Sequence, residues 1–135
     1  MSGPAIELAF GENVDPTTFL DALVALGGVR QPDEHTDGRL SRGSGHVWVY
    51  LNPEEGLEPK TQRIMEQKLH GPVRSRVVLD LSREEGSDEL ALGLIWAAAE
   101  RWTLVVDTLQ HEEARHGILT PEELRSRVKA GDAHP

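Results

Sequence analysis

Four short segments of the chain have patterns that are typical of β-strands, such as the apolar–polar alternation of residues 5–10 and the β-branched and aromatic residues of 46–52. They predict strands over residues 5–10, 46–52, 76–81 and 103–109. In the second segment, HVWVYLN, the side chains of His46, Trp48 and Tyr50 share one face, and the aliphatic residues share the other. Both faces are suited to burial, so we expect this strand in the interior of a sheet.

Between these segments, the hydrophobic residues follow the spacing of amphipathic helices. Helices are predicted over residues 16–26, 60–69, 87–102 and from residue 121 onward. In the first helix, Asp15 is suited to the N-cap and Pro16 to the first helical position. The helix ends at Gly27. The last helix follows the sequence TPEE, in which Thr120 and Glu123 have the spacing of a capping box.

The predicted order of elements is β-α-(β)-β-α-β-α-β-α. The bracketed strand lies near Leu40, in residues 29–45, which otherwise have the Gly-rich and charged composition of a loop. We predict a single α+β domain over residues 1–135. It would be a sandwich with a mainly antiparallel sheet of about four to five strands, packed by three to four helices on one or both faces. Residues 130–135 are predicted to form a disordered tail.

The chain is acidic, with 23 Asp and Glu against 14 Lys and Arg and a net charge of −9. This charge disfavours nucleic acids and anionic lipids as ligands, because phosphate binding depends on clusters of Lys and Arg. It favours a basic protein partner. The chain contains no cysteine, which excludes disulfides, thiol catalysis and cysteine-ligated metal centres.

The first residues of the chain contain neither a basic region nor a long apolar run, so we expect no signal peptide. The longest uncharged apolar run, residues 90–99, has ten residues. A bilayer span needs roughly 20. We therefore predict a cytoplasmic protein that does not interact with membranes.

The sequence HEEARH at residues 111–116 resembles the HExxH signature of zinc proteases. His111 and His116 are five residues apart, however, and on a helix they would point about 140° away from each other. In a loop they could still converge on a metal together with Glu112. We favour a solvated acidic connection and predict no bound metal or other cofactor, with the metal site as the lesser alternative.

No catalytic constellation is evident, and we assign no catalytic residue. No G-x-S-x-G sequence occurs. Asp80 and Asp107 each lie within an apolar strand, where turn formation or pairing with an arginine is the commoner role. A metal- or small-molecule-binding enzyme would need these two carboxylates to converge with His46, His111 and His116 in one pocket.

The helix that contains Leu90 and ends at Trp102 is apolar nearly all round. A helix of this kind must be buried on more than one side. We expect the sheet to cover one side and the first or the last helix to cover another. The alternative is a contact with a second chain through residues 90–102, either a homodimer or a partner interface in which Trp96 is a hot spot.

The segments AIEL, DPTTFLDAL, HVWVYL, SRVVLDLSREEGSDELALGLIWAAAERW and TLVVDTL follow one another in an order that resembles the SitI3-type small immunity proteins of bacterial polymorphic toxin systems. The similarity covers roughly residues 5–110 and rests on the order of the elements. It implies a protein without catalytic activity that neutralises a cognate toxin by tight binding.

We therefore predict a non-enzymatic protein-binding module, most concretely an immunity-type inhibitor. Exposed acids in turns would meet a basic toxin surface, and they are Asp33, Glu34, Glu54, Glu55, Glu112 and Glu113. The predicted partner contacts are Glu54, Glu55, Trp96, Glu112 and Glu113. The alternatives are a small homodimeric regulatory or accessory protein and, less favoured, the metal- or small-molecule-binding enzyme.

Overall fold

The computed structural model describes residues 5–108 and 117–129. In chain order, the elements are β1 (Ala5–Phe10), α1 (Pro16–Ala25), β2 (Val29–Arg30), β3 (Gly38–Arg42), β4 (Gly45–Leu51), α2 (Pro59–Leu69), β5 (Ser75–Leu81), α3 (Ser87–Arg101), β6 (Leu104–Asp107), β7 (Ile118–Leu119) and α4 (Pro121–Lys129). The predicted α+β class is confirmed. The predictions for residues 111–116 and 130–135 fall outside the described residues.

The described strands form one antiparallel sheet in the order β2-β3-β4-β5-β1-β6-β7. The predicted number of four to five strands is wrong, because the sheet has seven. The additional strands β2 and β7 have two residues each, too few to produce a recognisable alternation. The predicted short strand near Leu40 is confirmed as β3.

One face of the sheet, which we call the covered face, carries a continuous apolar layer. Its buried side chains come from alternate residues of six strands, and they are Ile6, Leu8, Phe10, Leu40, Val47, Val49, Val77, Leu79, Leu81, Leu104, Val106 and Leu119. Helices α1, α3 and α4 pack over this layer. The start of β4 lies close to the N-terminus of α3, and the absence of a side chain at Gly45 permits this approach. A Cβ at this position would lie 2.6 Å from the Glu85 carbonyl oxygen.

The predicted signals at the ends of α1 are confirmed. The Asp15 carboxylate accepts a hydrogen bond from the backbone N–H of Thr18 at 3.1 Å, and Pro16 occupies the first turn. After the helix, Gly27 has a φ of 94°, a left-handed conformation that side chains other than glycine rarely adopt. The backbone N–H groups of Gly27 and Gly28 donate to Val24 and Leu23, so the last carbonyls of the helix are satisfied.

The predicted capping box of α4 is also present. The backbone N–H of Thr120 donates to Glu123 Oε1 at 2.9 Å, and the backbone N–H of Glu123 donates to Thr120 Oγ1 at 3.2 Å. The same Glu123 oxygen accepts a hydrogen bond from Lys68 Nζ of α2 at 2.7 Å. Leu124 of α4 is buried against the covered face, so this salt bridge links helices from the two sides of the sheet.

Helix α2 lies on the opposite face. Its Met65 and Leu69 pack with Ala9, Val105 and Ile118 in a second, smaller core over β1, β6 and β7. Within the described residues, no helix is long and apolar enough to cross a membrane.

Candidate functional site

The face of the sheet that carries α2 is only partly covered. Helix α2 packs over β1, β6 and β7, and in the part of the chain that the structure describes, no cluster of buried apolar side chains forms over β3 to β5 on this side. The side chains there are half-buried, and they are Arg39, His46, Trp48, Tyr50, Val78 and Asp80. We call this surface the open face.

The open face corrects one expectation about the strand HVWVYLN. As predicted, β4 lies in the interior of the sheet, and Val47 and Val49 on its aliphatic face are fully buried. The face that carries Trp48 and Tyr50, however, has no described helix over it. The nearest strand beneath α2 is β1, two strands away from β4, so no described helix covers this half of the sheet.

The open face carries aromatic side chains that the core does not use. The rings of Phe10, Phe19 and Trp102 pack against one another in the core with centroids 5.9 to 6.3 Å apart. Trp48 and Tyr50 instead lie two residues apart on one side of β4, half-buried. Aromatic residues, Trp and Tyr among them, are enriched at protein–protein contacts.

The surroundings of Trp48 are polar. The imidazole of His46 lies 5.5 Å from the indole, measured between ring centroids, and its Nδ1 is 2.7 Å from Ser41 Oγ. Across the strands, Trp48 is paired with Arg39 of β3 and with Asp80 of β5. Directly opposed residues have Cβ atoms about 5 Å apart. The aromatic side chains of Trp48 and Tyr50 are thus flanked by polar and charged side chains.

An ion pair lies where the open face meets the part covered by α2. Arg76 Nε and Nη2 donate to the two carboxylate oxygens of Glu7 at 2.7 and 3.0 Å. The side chains are 16% and 11% exposed, respectively. The third nitrogen of the guanidinium, Nη1, donates to the backbone carbonyl of Glu55. Arg76 therefore connects the sheet to the loop that follows β4.

That loop, residues 52–58, carries two of the predicted partner contacts. Glu54 and Glu55 are both exposed. The loop begins at Asn52, whose backbone N–H donates to the carbonyl of Arg76 at 2.8 Å. Since Arg76 points to the open face and donates to the Glu55 carbonyl, the backbone of this loop lies at the edge of that face.

A second acidic loop reaches the same end of β4. The Asp37 carboxylate accepts a hydrogen bond from the backbone N–H of Leu51 at 2.8 Å, which attaches residues 31–37 beside the start of the Glu54 loop. Asp33 and Glu34 in this loop are exposed. A hydrogen bond from the backbone N–H of His35 holds the pKa of Asp33 below its ordinary value.

These two loops place four of the predicted acidic residues at one end of the sheet. We call these four residues the acidic rim, and they are Asp33, Glu34, Glu54 and Glu55. The other predicted acids, Glu112 and Glu113, lie outside the described residues.

Trp96, the remaining predicted contact, lies elsewhere. It is half-buried on α3, on the covered side of the sheet, and the guanidinium of Arg125 from α4 lies 4.8 Å from the centre of its ring. Helix α3 packs between α1 and α4, which confirms that helices of the same chain cover its additional apolar sides. Trp96 does not share a surface with Glu54 and Glu55. A homodimer through residues 90–102 stays a prediction.

The residues of the enzyme alternative do not form one cluster. His46 lies on β4 and Asp107 on β6, three strand spacings apart, which corresponds to about 14 Å across the sheet. Asp80 lies between them on β5. Among the described residues, no group of three His, Asp or Glu is close enough to hold a metal ion. His111 and His116 are outside the described ranges.

Neither the Arg76–Glu7 pair nor a site that includes Trp48 and Tyr50 was predicted from the sequence. A signal for the pair exists, since Glu7 and Arg76 are oppositely charged residues within two apolar strand segments. Known proteins add nothing to this geometry: no protein-family model, no curated protein and no solved structure matches the chain.

Proposed function

We propose that the protein is a non-enzymatic binding module that uses its open face to bind a basic protein. In its most concrete form, it is an immunity-type inhibitor that neutralises a cognate bacterial toxin in the cytoplasm. One observation carries the proposal: Trp48 and Tyr50 lie half-buried on a part of the sheet that no described helix covers, and the loop that follows β4 carries the exposed residues Glu54 and Glu55.

The aromatic pair supplies the kind of contact from which protein interfaces draw most of their affinity. Trp and Tyr are enriched among hot-spot residues, which lie near the centre of an interface and are surrounded by polar contacts. On the open face, Trp48 is near the centre, with Arg39 and Asp80 on its two sides. Because β4 is held within the sheet, these side chains present a rigid platform to a partner.

The acidic rim supports a basic partner in particular. Exposed carboxylates contribute modestly to affinity, but they speed the encounter with a surface of opposite charge and disfavour acidic competitors. The net charge of −9 acts in the same direction. The resemblance of the element order to immunity proteins supports the inhibitor form of the proposal, since that class acts by binding.

The first test is binding to the product of the neighbouring gene, measured by co-purification and then by calorimetry. We expect Trp48→Ala to weaken the complex at least about tenfold, as hot-spot truncation does. Trp96→Ala is the matched control, since it removes a half-buried indole from the opposite side of the sheet. A neighbouring product that does not bind contradicts the inhibitor. Binding that depends on Trp96 but not on Trp48 would move the interface to α3.

The second test concerns the acidic rim. The double variant Glu54→Gln/Glu55→Gln is compared with Glu84→Gln/Glu85→Gln, an adjacent and equally exposed pair in the connection before α3, near the other end of β4. Both double variants change the net charge by the same amount. We expect the first to slow association and to flatten its dependence on salt more than the second. Equal effects would mean that only the overall charge matters.

A further inference from the structure

We propose that Arg76 and Glu7 are positioning residues for partner binding, which hold the Glu54 and Glu55 carboxylates at the edge of the open face. Both side chains are largely buried, so they act through the loop and not by contact with the partner. This inference rests on the proposed function and adds to it the way in which the binding surface is kept in place.

The shape of the guanidinium determines where Arg76 can donate its remaining hydrogen bond. Arg76 uses Nε and Nη2 on the two oxygens of Glu7, a bidentate contact that fixes the plane and direction of the group. With that plane fixed, Nη1 is directed at the carbonyl of Glu55. A lysine has a single flexible ammonium in place of this fork and cannot be oriented in the same way.

The loop is also attached to β5 at its first residue, Asn52. Asn52 has a φ of 46°, in the left-handed region that asparagine tolerates better than most residues, and this turns the chain out of β4. Its backbone N–H donates to the carbonyl of Arg76, and its Oδ1 accepts the backbone N–H of Arg76 at 3.3 Å. Residue 76 therefore holds the loop at Asn52 through its backbone and at Glu55 through its side chain.

Holding the loop in place favours binding. An unattached loop would lose conformational freedom on meeting a partner, and this loss opposes association. A loop already held in place loses less, so the same charges give a more stable complex. An apolar pair of similar volume can stabilise a fold as well as a buried ion pair does. What an apolar pair could not provide at this position is the hydrogen bond to the Glu55 carbonyl.

The attachment is tested first in the free protein, by limited digestion with a glutamate-specific endoprotease. The variants are Arg76→Lys, which keeps the charge, and Glu7→Leu/Arg76→Met, which leaves no buried charge unpaired. The control is Arg74→Lys, an exposed arginine just before β5. We expect cleavage after Glu54 and Glu55 to be at least about fivefold faster in both variants and unchanged in the control. Cleavage after Glu84, in a separate exposed connection, is the internal reference: an equal increase there would show a general loosening and not the release of this loop.

Binding to the basic partner is then measured for the same proteins. We expect Arg76→Lys to weaken the complex about tenfold, mainly through faster dissociation, with the salt dependence of association unchanged because the carboxylates remain. Unchanged cleavage in both variants overturns the inference, as does faster cleavage without a change in affinity. A wild-type protein that binds no basic partner overturns the proposed function itself, a result distinguishable from either.

Discussion

The two faces of the sheet are built from the same strands and present opposite surfaces. On the covered face, Leu8, Val49 and Leu79 are completely buried beneath three helices. Their neighbours along the chain, such as Trp48 and Val78, point to the other side and are half-buried. One side of the sheet is thus the main core of the protein, and half of the other side is a partly buried surface that no described helix covers.

The contrast depends on the placement of the helices more than on the strands. Successive residues of a strand point to opposite sides, so each strand contributes to both surfaces. Three helices lie over the covered face, whereas α2 lies over β1, β6 and β7 on the other. A further helix over β3 to β5 would bury Trp48 and Tyr50 and remove the contrast. The surface chemistry of the protein is therefore decided by which strands are left without a helix.

The largest effect is expected from Leu79→Ala compared with Val78→Ala, two adjacent residues on opposite faces of β5. Leu79 is completely buried, so its truncation should lower the free energy of unfolding by about 3 kcal/mol. Val78 is half-buried, and we expect a loss of about 1 kcal/mol or less. Urea denaturation measures both. Equal losses would mean that the open face is packed as densely as the covered one.

A smaller effect is expected where the open face meets the region beneath α2. Arg76→Met leaves the Glu7 carboxylate largely buried and unpaired, and we expect a loss of about 2 kcal/mol. This is below the range of fully buried pairs, because both side chains keep some contact with water. The double variant Glu7→Leu/Arg76→Met should regain most of the loss. A double variant no more stable than Arg76→Met would show that the pair is not an isolated unit.

The next effect concerns the capping box of α4, a helix that packs on the covered face. Thr120→Ala removes the hydroxyl that accepts the Glu123 backbone N–H, and we expect it to lower the free energy of unfolding by about 1 kcal/mol. Ser126→Ala, at an exposed position of the same helix, is the control and should be nearly neutral. A comparable loss in both variants would mean that the loss is not specific to the cap.

The smallest effect concerns the salt bridge that joins α4 to α2 across the edge of the sheet. The hydrogen bond from Lys68, followed by that from the backbone of Thr120, holds the pKa of Glu123 below its ordinary value of 4.5. A lowered pKa in the folded state means that the carboxylate stabilises the fold above the unfolded pKa, and that this contribution is lost as the pH falls through the folded pKa.

The difference in unfolding free energy between wild type and Glu123→Gln should therefore shrink as the pH falls below about 4.5. The carboxylate is nearly half exposed, so we expect a change of a few tenths of a kcal/mol. Denaturation at pH 7 and pH 3 provides the measurement, with Glu122→Gln as the exposed control. A difference that does not vary with pH would contradict the assigned role of Lys68.

Local features of this molecule were predictable because local interactions produce them. The cap at Asp15, the end of α1 at Gly27 and the capping box at Thr120 each depend on residues a few positions apart. The exposure of Glu54 and Glu55 followed in the same way from a turn composition. The strands β2 and β7 were missed because two residues carry no periodicity, and only pairing with β3 and β6 makes them strands.

Contacts between residues distant in sequence were not predictable, because they depend on the order of the strands in the sheet. Glu7 and Arg76 are 69 positions apart, and their pairing requires β1 and β5 to be neighbours in the sheet. Trp96 and Glu54 were grouped as one set of partner contacts, and the fold places them on opposite sides of the sheet. Neither relation depends on residue spacing, because both arise from the order of the strands.

The sequence by itself determined which side of each strand a residue occupies, since the pleat sends successive side chains in opposite directions whatever the rest of the chain does. The separation of Trp48 and Tyr50 from Val47 and Val49 was determined in this way. Only the tertiary structure decided which of those sides was buried, because that depends on where helices distant in sequence come to rest. Helix α2 packs on β1, β6 and β7, and for that reason the aromatic side of β4 faces outward.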